Sequence, residues 1–313
     1  MSATSTRVLL SGASGMLGTA VRQALAAPGY EVLQLVRRDA AGPDRSAPSQ
    51  FASGQLKWNP RASTPIRDTA PLEALDAAIH LSGASVAAHR WTPAYKRELW
   101  TSRVESTRRL AAVLASLRQP PKTLLVASAV GFYGNRGDEI LDESANPGNG
   151  FLADLCNEWE AAARPATEAG MRVVHTRFGV VLSRGSGALG KMLPLFRLGL
   201  GGRLGSGRQW MSWISLADAV AAILFAMEAP ALAGAVNVTA PQPVTNAEFT
   251  RALGRAVHRP ALLPAPTFAL RLALGEMADE ALLASARAVP ARLTGAKFHF
   301  AHPTLEEALA ALL

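Results

Sequence analysis

Apolar runs alternate with helical stretches along the first two thirds of the chain. Five short runs rich in apolar and β-branched residues have the length of buried strands: 8–11, 30–36, 76–83, 123–128 and 172–178. Longer stretches with helical spacing lie between them: 16–27, 93–117 and 151–167. Strands that alternate with helices in this way form a parallel, doubly wound sheet, which binds ligands at the carboxyl ends of its strands. The pattern therefore predicts an α/β fold of this class.

Three evenly spaced glycines, Gly12, Gly15 and Gly18, connect the first strand to the first helix. We expect Gly12 to make the tight turn, Gly15 to let a pyrophosphate approach the backbone, and Gly18 to let the helix pack closely on the strand. The helix N-terminus then presents free N–H groups to the phosphates. The sequence thus predicts a Rossmann-type dinucleotide site, whose residues are Gly12, Ser14, Gly15, Met16, Leu17, Gly18 and, at the end of the third strand, Leu81, Ser82 and Gly83.

The end of the second strand predicts which dinucleotide is bound. Arg37 and Arg38 stand where a protein that uses NAD carries an Asp or Glu to bond the adenosine ribose. Two guanidinium groups suit a 2′-phosphate instead. The sequence therefore predicts NADP(H), and the alternative is that both arginines are simply solvated.

Length and composition favour more than one structural unit. The chain has 313 residues, 49% of them hydrophobic, and its mean hydropathy is +0.13. This is long for one ordinary domain. We expect an NADP-binding domain over residues 1–178, to which 212–240 return. The remaining segments, 179–211 and 241–313, are expected to form a smaller substrate-side and C-terminal domain.

Cysteine count, apolar run length and charge exclude several classes of protein. One cysteine rules out an internal disulfide and suits a reducing compartment. The N-terminus is short and polar and no apolar run approaches the roughly 20 residues that span a bilayer, so we expect a cytoplasmic protein without a membrane partner. The net charge of +8 comes from scattered arginines, which predicts no nucleic-acid partner. The six histidines lack metal-ligand spacing, so no metal is expected.

Several strings of residues make the chain resemble the extended short-chain dehydrogenase/reductases. In order, they are Gly12-x-x-Gly15-x-x-Gly18, Ile79-His80-Leu81-Ser82-Gly83, Tyr133-Gly134, Arg177 with Gly179, and Trp213-Ile214-Ser215-Leu216-Ala217-Asp218. Further strings resemble the atypical "epimerase family" branch, which is sugar nucleotide epimerase-like and carries a C-terminal domain of unknown function: Arg90-Trp91-Thr92, Cys156-Asn157-Glu158-Trp159-Glu160 and Val289-Pro290-x-Arg292-Leu293. The resemblance covers nearly the whole chain. It implies oxidoreductase or epimerase chemistry and a homodimer formed through helices 93–117 and 151–167.

The same resemblance exposes a missing acid/base pair. Members of the family use a Tyr, with a Lys four residues later, to exchange a proton with the substrate. In this chain Tyr30, Tyr95 and Tyr133 are followed at that spacing by Gln34, Leu99 and Gly137. Leu152 and Cys156 best match the positions of the Tyr and the Lys. The usual proton donor is therefore absent.

The resemblance assigns three other site positions. Ser128 matches the family's upstream serine, although the alignment also allows Ala129. Arg103 matches the relay Asn, and as a fixed cation it suits a phosphate or an anionic substrate better than a proton relay. Glu98, on the same helix, is a candidate adenine contact. For Arg103 and Glu98 the alternative is an ordinary, partly exposed helix residue.

Cys156 and Tyr133 are the remaining candidate nucleophile and proton donor. Asp154 and Glu158 would raise the pKa of the Cys156 thiol, which opposes a catalytic role. The Tyr133 phenol lacks a lysine to lower its pKa from about 10. The alternatives are core packing for Cys156 and a wall position for Tyr133.

Basic residues in the second half predict a small, anionic substrate. The candidate contacts, near glycine-rich loops at 182–190 and 199–207, are Arg177, Lys191, Arg208 and Trp213. Packing is the alternative role of Trp213. Two functions stay open: an NADP-dependent oxidoreductase or epimerase of atypical mechanism, and a redox sensor or regulatory protein that binds NADP(H) without turnover. The pocket residues favour the first, and the missing Tyr-Lys pair favours the second.

Overall fold

A sheet of parallel strands forms the centre of the molecule. The structure, a computed structural model, describes residues 5–37 and 54–313. Its strands are β1 (Thr6–Ser11), β2 (Tyr30–Val36), β3 (Gln55–Lys57), β4 (Ala77–His80), β5 (Thr123–Ala129), β6 (Ile140–Leu141), β7 (Arg172–Phe178), β8 (Val180–Leu182), β9 (Trp210–Met211), β10 (Trp213–Ser215), β11 (Gly234–Val238), β12 (Val244–Thr245) and β13 (Arg287–Ala288). Seven of them form the central sheet in the order β11-β7-β5-β4-β1-β2-β3, and each neighbouring pair is parallel.

Helices connect and cover these strands. They are α1 (Met16–Ala24), α2 (Pro93–Trp100), α3 (Ser106–Ala115), α4 (Phe151–Ala161), α5 (Arg164–Glu168), α6 (Gly187–Arg197), α7 (Leu216–Glu228), α8 (Asn246–Ala256), α9 (Thr267–Leu274), α10 (Ala291–Gly295) and α11 (Leu305–Leu312). The strand order reverses between β1 and β4, so right-handed crossovers place α1 on one face and α2 with α3 on the other. The predicted doubly wound α/β fold is confirmed. Its ligand crevice is expected at this reversal.

Two main hydrophobic cores and a small third cluster, which contains Phe132 and Leu141, stabilise the described part of the molecule. The larger one lies around the central sheet and includes Leu9, Ile79 and Leu125, all almost fully buried. The smaller one surrounds Trp213 and Phe249, between β10 and the helices α6, α8 and α11. In the residues that the structure describes, no helix is long and apolar enough to cross a membrane.

Two of the predicted helices are interrupted. A π-helical turn at Thr101–Glu105 separates α2 from α3 inside the predicted helix 93–117. The predicted helix 151–167 divides into α4 and α5, because Pro165 lacks the N–H group that a continuous helix needs and its ring would clash with the preceding turn. The loop predicted at 182–190 also ends early, since α6 begins at Gly187.

The C-terminal segment packs against the start of α4. Gly150, the N-cap residue of α4, offers no side chain to the helix. Glu280 takes over this role from far along the chain, since its carboxylate accepts a hydrogen bond from the Leu152 backbone N–H at 3.1 Å. Nearby, the Lys96 ammonium of α2 lies 2.8 Å from the Glu276 carboxylate. The last fifth of the chain thus holds α2 and α4, two of the helices that cover the sheet, in place.

Candidate functional site

The glycine turn between β1 and α1 is packed tightly against β4. Gly12 has a φ of +76°, and a side chain there would lie 2.7 Å from the carbonyl carbon of Leu81. A side chain at Gly18 would lie 2.0 Å from the carbonyl oxygen of Gly12. The fold itself therefore needs glycine at both positions, at Gly12 for the turn and at Gly18 for the close contact of α1.

Gly15 differs from these two glycines, because it is exposed to solvent and no atom lies close enough to exclude a side chain. The nearest atom to a side chain at this position is the Gly12 carbonyl oxygen at 3.4 Å, an ordinary contact distance. Gly15 is also the N-cap residue of α1 and provides no side-chain cap. The first backbone N–H groups of the helix, which include those of Met16 and Leu17, thus remain for a ligand.

A cleft of about 930 Å³, which we call the glycine cleft, extends from this turn along the end of β2 to the segment after β3. Its wall includes Ser14 and Gly15 from the turn, Leu81, Ser82 and Gly83 after β4, and Thr101 and Ser102 from the π-helical turn. Of the residues that the structure describes, three with cationic side chains line it: Arg22, Arg37 and Arg61. An uncapped helix N-terminus with guanidinium groups nearby suits a ligand that carries several phosphates. Arg38 lies outside the described residues.

Glu98 also lines the glycine cleft, but its carboxylate is already engaged. Arg61 Nη2 donates to Glu98 Oε2 in an ion pair that joins α2 to the segment after β3. Asn59 and Trp58 complete this part of the wall. The predicted adenine contact of Glu98 therefore stays a prediction, and the structure adds that Glu98 positions an arginine of the cleft.

A row of buried polar side chains begins at the cleft wall and enters the interior. Ser82 Oγ donates to Ser11 Oγ at 3.2 Å, and Ser11 Oγ lies 2.6 Å from His80 Nδ1. On the other side of the ring, Nε2 lies 3.3 Å from Ser106 Oγ on α3. Burial lowers the pKa of His80 to about 4, so the imidazole is neutral at pH 7. The row supports the end of β4 without adding a charge.

Arg103 lies behind the cleft wall, on the π-helical turn. Its Nη2 donates to the carbonyl oxygen of Ala84 at 2.8 Å, and its Nη1 donates to that of Leu99 at 3.4 Å. A side chain added at Gly83 would lie 3.2 Å from the guanidinium carbon. Burial lowers the pKa of Arg103. The structure thus places this guanidinium as a support for the segment after β4, and the cleft lining contains its neighbours Thr101 and Ser102.

An ion-pair network lies between β5, β7 and α4. We call it the Glu160 network. Arg177 donates to Glu160 through Nε at 2.8 Å and Nη2 at 2.9 Å, and Ser128 Oγ donates to the same carboxylate at 2.7 Å. Arg177 Nη1 also donates to the Tyr133 hydroxyl at 3.0 Å, and this hydroxyl lies 2.7 Å from Asn237 Oδ1. Every polar end of the network therefore has a partner within the protein.

This network corrects two predictions. The sequence predicts Arg177 as a substrate contact, but its guanidinium forms a bidentate pair with Glu160 and lies 3.5 Å from the centre of the Phe132 ring. It predicts Tyr133 as a proton donor to a ligand, but this residue is fully buried and is held by Arg177 and Asn237. Burial raises the pKa of Tyr133, and the charge of Arg177 opposes this rise. Both residues stabilise the interior.

Cys156 is the third correction, because its thiol is neither exposed nor acidic. Burial, and secondly the negative charge of Glu160, raises the pKa of Cys156 to about 12. The sequence attributes a raised thiol pKa to Asp154 and Glu158, whereas in the structure burial and the charge of Glu160 raise it. A side chain added at Gly131 would touch both Leu152 and the Cys156 sulfur. These two residues, which match the positions of the family's Tyr and Lys, therefore lie on one face of α4. Neither provides a proton at neutral pH.

The remaining predicted substrate residues differ in their exposure to solvent. Trp213 is wrong as a contact residue, because it is 0% exposed and its Nε1 donates to the Gln242 carbonyl oxygen at 3.0 Å. Lys191 is exposed, and its Nζ donates to the Ala87 carbonyl oxygen at 2.8 Å, which ties α6 to the segment after β4. Arg208 has an exposed side chain.

Sequence reasoning missed several residues that the structure places at the site. Arg22 lies two turns into α1, and Arg61 lies in a loop, so no motif singles them out. The helical position of Arg22, seven residues after the cleft-facing Gly15, is the one signal that points to it. His80 and Glu160 both occur in strings that carry the family resemblance. The hydrogen-bond partners of His80 are 26 and 69 residues away in the sequence, and those of Glu160 are 17 and 32 residues away, so the sequence does not show these bonds.

The comparisons with known proteins agree with this geometry. Residues 8–239 match the NAD dependent epimerase/dehydratase family, and residues 265–312 match a domain of unknown function, DUF1731. The parallel sheet, its strand reversal and the glycine turn define a nucleotide-binding α/β protein. The chain belongs to the NAD dependent epimerase/dehydratase family.

Relatives of similar length occur in bacteria and mammals. Epimerase family protein Mb2239 of Mycobacterium bovis is 49% identical over 302 residues, which cover 96% of this chain and 96% of that protein. Epimerase family protein SDR39U1 of Homo sapiens is 35% identical over 306 residues, which cover 97% and 98%. The similarity therefore includes the C-terminal segment as well as the sheet.

Two solved structures extend the comparison. The crystal structure of human SDR39U1 (isoform 2) with NADPH has a TM-score of 0.86 and 34% identity, and the match covers 98% of each chain. The nucleoside-diphosphate sugar epimerase of Corynebacterium glutamicum has a TM-score of 0.77 and 33% identity, over 99% of this chain and 59% of that one. UDP-glucose 4-epimerase of Thermus thermophilus, at 19% identity and a TM-score of 0.71, shares the fold.

Proposed function

We propose that the protein binds NADP(H) in the glycine cleft and acts with it as an oxidoreductase or epimerase on an anionic small molecule. The observation that carries this proposal is that an uncapped helix N-terminus and three arginines line one cleft of about 930 Å³. NADP(H) carries a pyrophosphate, which helix N–H groups bind, and a 2′-phosphate, which guanidinium groups bind. The NADPH in the similar human structure supports the same cofactor.

Each part of the cleft has a distinct task in this proposal. Ser14 and Gly15, with the first N–H groups of α1, would hold the pyrophosphate, and Arg37 with Arg22 would hold the 2′-phosphate. The segment from Leu81 to Gly83 forms the wall on the β4 side. When bound, the nicotinamide supplies a hydride donor or acceptor. The neutral His80 and the guanidinium of Arg103 keep that wall in position from behind.

Calorimetric titration with NADPH and NADH tests the cofactor assignment. We expect NADPH to bind at least about tenfold more tightly, which corresponds to about 1.4 kcal/mol. Arg37→Ala should weaken NADPH binding by a similar factor and leave NADH binding nearly unchanged. Arg118→Ala, an exposed arginine outside the cleft lining, is the matched control. Equal affinity of the wild-type protein for both dinucleotides would contradict the proposal.

Charge distribution supports an anionic substrate. Residues 169–217 contain no Asp or Glu, whereas they include Lys191 and Arg208. Lys191 bridges to the segment after β4, four residues beyond the cleft residue Gly83. A cluster of one sign of charge attracts ligands of the opposite sign and raises their local concentration.

One observation favours a second candidate function, a sensor that binds NADP(H) without turnover. The four residues predicted for catalysis, Ser128, Cys156, Tyr133 and Arg103, are between 0% and 8% exposed. Their polar atoms bond to other protein groups or, at Cys156, have a raised pKa. In such a protein the NADP(H)-bound and free forms would differ in partner binding, and no substrate would be reduced.

Stereospecifically deuterated NADPH separates the two candidates. The protein is incubated with this probe and a metabolite extract, and products are scored for deuterium by mass spectrometry. Transfer by the wild-type protein, reduced at least about tenfold by Arg37→Ala, supports the enzyme. Tight NADPH binding without any transfer contradicts the enzyme and supports the sensor.

A further inference from the structure

Exposed apolar side chains are concentrated on one part of the surface. Among the described residues, eight large hydrophobic side chains are strongly exposed, and Ile140 alone lies outside two short segments. The other seven, 52% to 79% exposed, are Leu195, Leu198, Leu200, Leu262, Leu263, Phe268 and Leu272. We call these seven the apolar ridge. Contiguous exposed apolar surface in a globular protein marks an interaction site.

Backbone hydrogen bonds hold the two segments of the apolar ridge side by side. The Leu263 N–H donates to the Gly201 carbonyl oxygen at 3.1 Å, and the Ala265 N–H donates to that of Arg203 at 2.9 Å. Farther back, Arg259 Nε donates to the Arg197 carbonyl oxygen at 3.3 Å. The leucines around 198–200 and 262–263 therefore lie on neighbouring segments of one surface.

Helix α9 continues the ridge. It starts two residues after Ala265 and contains no buried residue, although most surface helices bury one face. Phe268 and Leu272 are one helical turn apart, so both project from the same side. The helix is attached through the Leu272 carbonyl oxygen, which accepts from Arg90 Nη1 at 3.2 Å, and through Leu274, which packs against the larger core. Its apolar side is left without a partner in the described structure.

A basic pocket of about 670 Å³ adjoins the ridge. Arg251, Arg255, His258 and Arg259 line it, together with Leu262 of the ridge. Residues 187–217 and 249–275, which form the ridge and the pocket, contain no Asp or Glu. Three carboxylates reach this region from outside these ranges: Glu306, 3.0 Å from Arg255, and Asp279, 2.9 Å from Arg271, both in exposed pairs, and Glu248, whose pKa is lowered by a backbone hydrogen bond and also by the charge of Arg251. The positive charges thus exceed the negative ones on this surface.

Charge and shape together indicate which kind of partner binds to the apolar ridge and the basic pocket. A second copy of the chain would bring two positively charged surfaces together in a symmetric interface, which is unfavourable. An apolar surface beside a cluster of arginines instead suits a bilayer interface, where apolar side chains enter the acyl region and cations meet lipid phosphates. Such a surface needs no spanning helix. The sequence-based expectation of no membrane partner considered spanning segments alone.

We propose that the apolar ridge and the basic pocket form one peripheral docking surface for an anionic lipid bilayer. The ridge inserts its leucines and Phe268 below the headgroups, and the pocket binds a phosphate of a lipid headgroup. The protein would then perform its NADP(H)-linked function at a membrane surface.

Flotation of the full-length protein with vesicles tests the proposal. One set of vesicles is phosphatidylcholine, and the other contains about one third phosphatidylglycerol, which gives the surface a negative potential. We expect at least about tenfold more protein on the anionic vesicles, and a strong decrease at high salt. Equal binding to both sets, or no binding to either, would overturn the proposal.

Matched variants assign the binding to this surface. Leu262→Ser with Leu263→Ser, and separately Arg251→Ala with Arg255→Ala, should each reduce anionic-vesicle binding at least about fivefold. The controls are Ile140→Ser for an exposed apolar residue elsewhere, and Arg118→Ala with Arg164→Ala for the same loss of charge elsewhere. NADPH affinity reports that each variant is folded. Equal losses in variants and controls would contradict the assignment.

Fluorescence gives a second readout that does not depend on removing contacts. Anionic vesicles should shift the tryptophan emission of Leu262→Trp to the blue, beyond any shift of the wild-type protein. Neutral vesicles should cause no such shift. Ile140→Trp should show no shift with either. An unshifted Leu262→Trp spectrum contradicts insertion. If light scattering shows that Leu262→Ser with Leu263→Ser converts a dimer to a monomer, a second copy occupies the ridge and the proposal is wrong.

Discussion

The glycine cleft and the Glu160 network lie at the same sheet but differ in access. In the cleft, the groups that meet a ligand are mainly backbone N–H groups, a glycine Cα and exposed arginines. In the network, the guanidinium and hydroxyl groups are buried, the Glu160 side chain is 12% exposed, and these groups are bonded to one another. The cleft is thus prepared for a dinucleotide, whereas the polar groups of the network bond to other groups of the protein.

The largest expected effect concerns the Glu160 network. Arg177→Met leaves the largely buried Glu160 carboxylate without its cation, which should lower the free energy of unfolding by about 3 kcal/mol. Urea denaturation at pH 7 measures this change. Arg164→Met, which removes the exposed partner of Glu168, is the control and should cost at most about 0.5 kcal/mol. Similar losses in both variants would show that the network is not as closed as the structure indicates.

A pH dependence tests the interior side of the cleft. The pKa of His80 falls from 6.5 to about 4 on folding because the ring is buried. Between these values the unfolded chain binds more protons, so stability is complete above pH 6.5 and decreases by up to about 3 kcal/mol as the pH falls to 4. The measurement is urea denaturation of the wild-type protein and of His80→Gln across this range. Parallel curves for the two proteins would contradict the prediction.

Two glycines of the cleft should separate fold from binding. Gly18→Ala places a methyl group against the Gly12 carbonyl and should destabilise the protein by roughly 1–3 kcal/mol. Gly15→Ala should leave stability nearly unchanged, because its methyl group faces the cleft, and should weaken NADPH binding at least about tenfold. Thermal unfolding and calorimetry measure the two properties. If Gly15→Ala lowered stability and left NADPH affinity unchanged, the exposed side of Gly15 would not be the side that meets the ligand.

The smallest expected effect is that of Cys156. Because burial raises the pKa of its thiol to about 12, Cys156→Ser should leave NADPH affinity and any deuterium transfer within about twofold of wild type. A thiol reagent should label the native protein at least about a hundredfold more slowly than the protein in urea. Fast labelling of the folded protein would reopen a role for this residue.

The sequence predicts the sheet and the glycine turn well, since both depend on local patterns. Strands 30–36 and 172–178 match β2 and β7, because apolar runs between turn residues give clear limits. Helix interruptions are harder to predict, and the π-helical turn that holds Arg103 follows no sequence rule. Fold class therefore follows from the sequence, and side-chain direction does not.

The sequence predicts the part of the site that the backbone forms, but not the contacts of its side chains. Gly12 and Gly18 have the structural roles that their spacing indicates, and the contact of Gly15 with a pyrophosphate stays a prediction. Arg177 and Trp213, by contrast, are predicted to meet a substrate, because a charged or aromatic residue near a ligand edge usually does so. Their burial depends on Glu160 and on the second hydrophobic core, which come from other segments of the chain. Long-range contacts of this kind have no signature in a single sequence.

The bond between Glu280 and the start of α4 has a consequence for biosynthesis. While the chain leaves the ribosome, α4 is complete 119 residues before the carboxylate that caps it, since α4 ends at Ala161 and the acceptor is Glu280. The pairing of β6 with β13 waits for the same late segment. The sheet can thus assemble during translation, but its α4 layer reaches its final stability only when the C-terminal segment has emerged. A chain truncated before residue 276 would retain the glycine turn and lack this last step of folding.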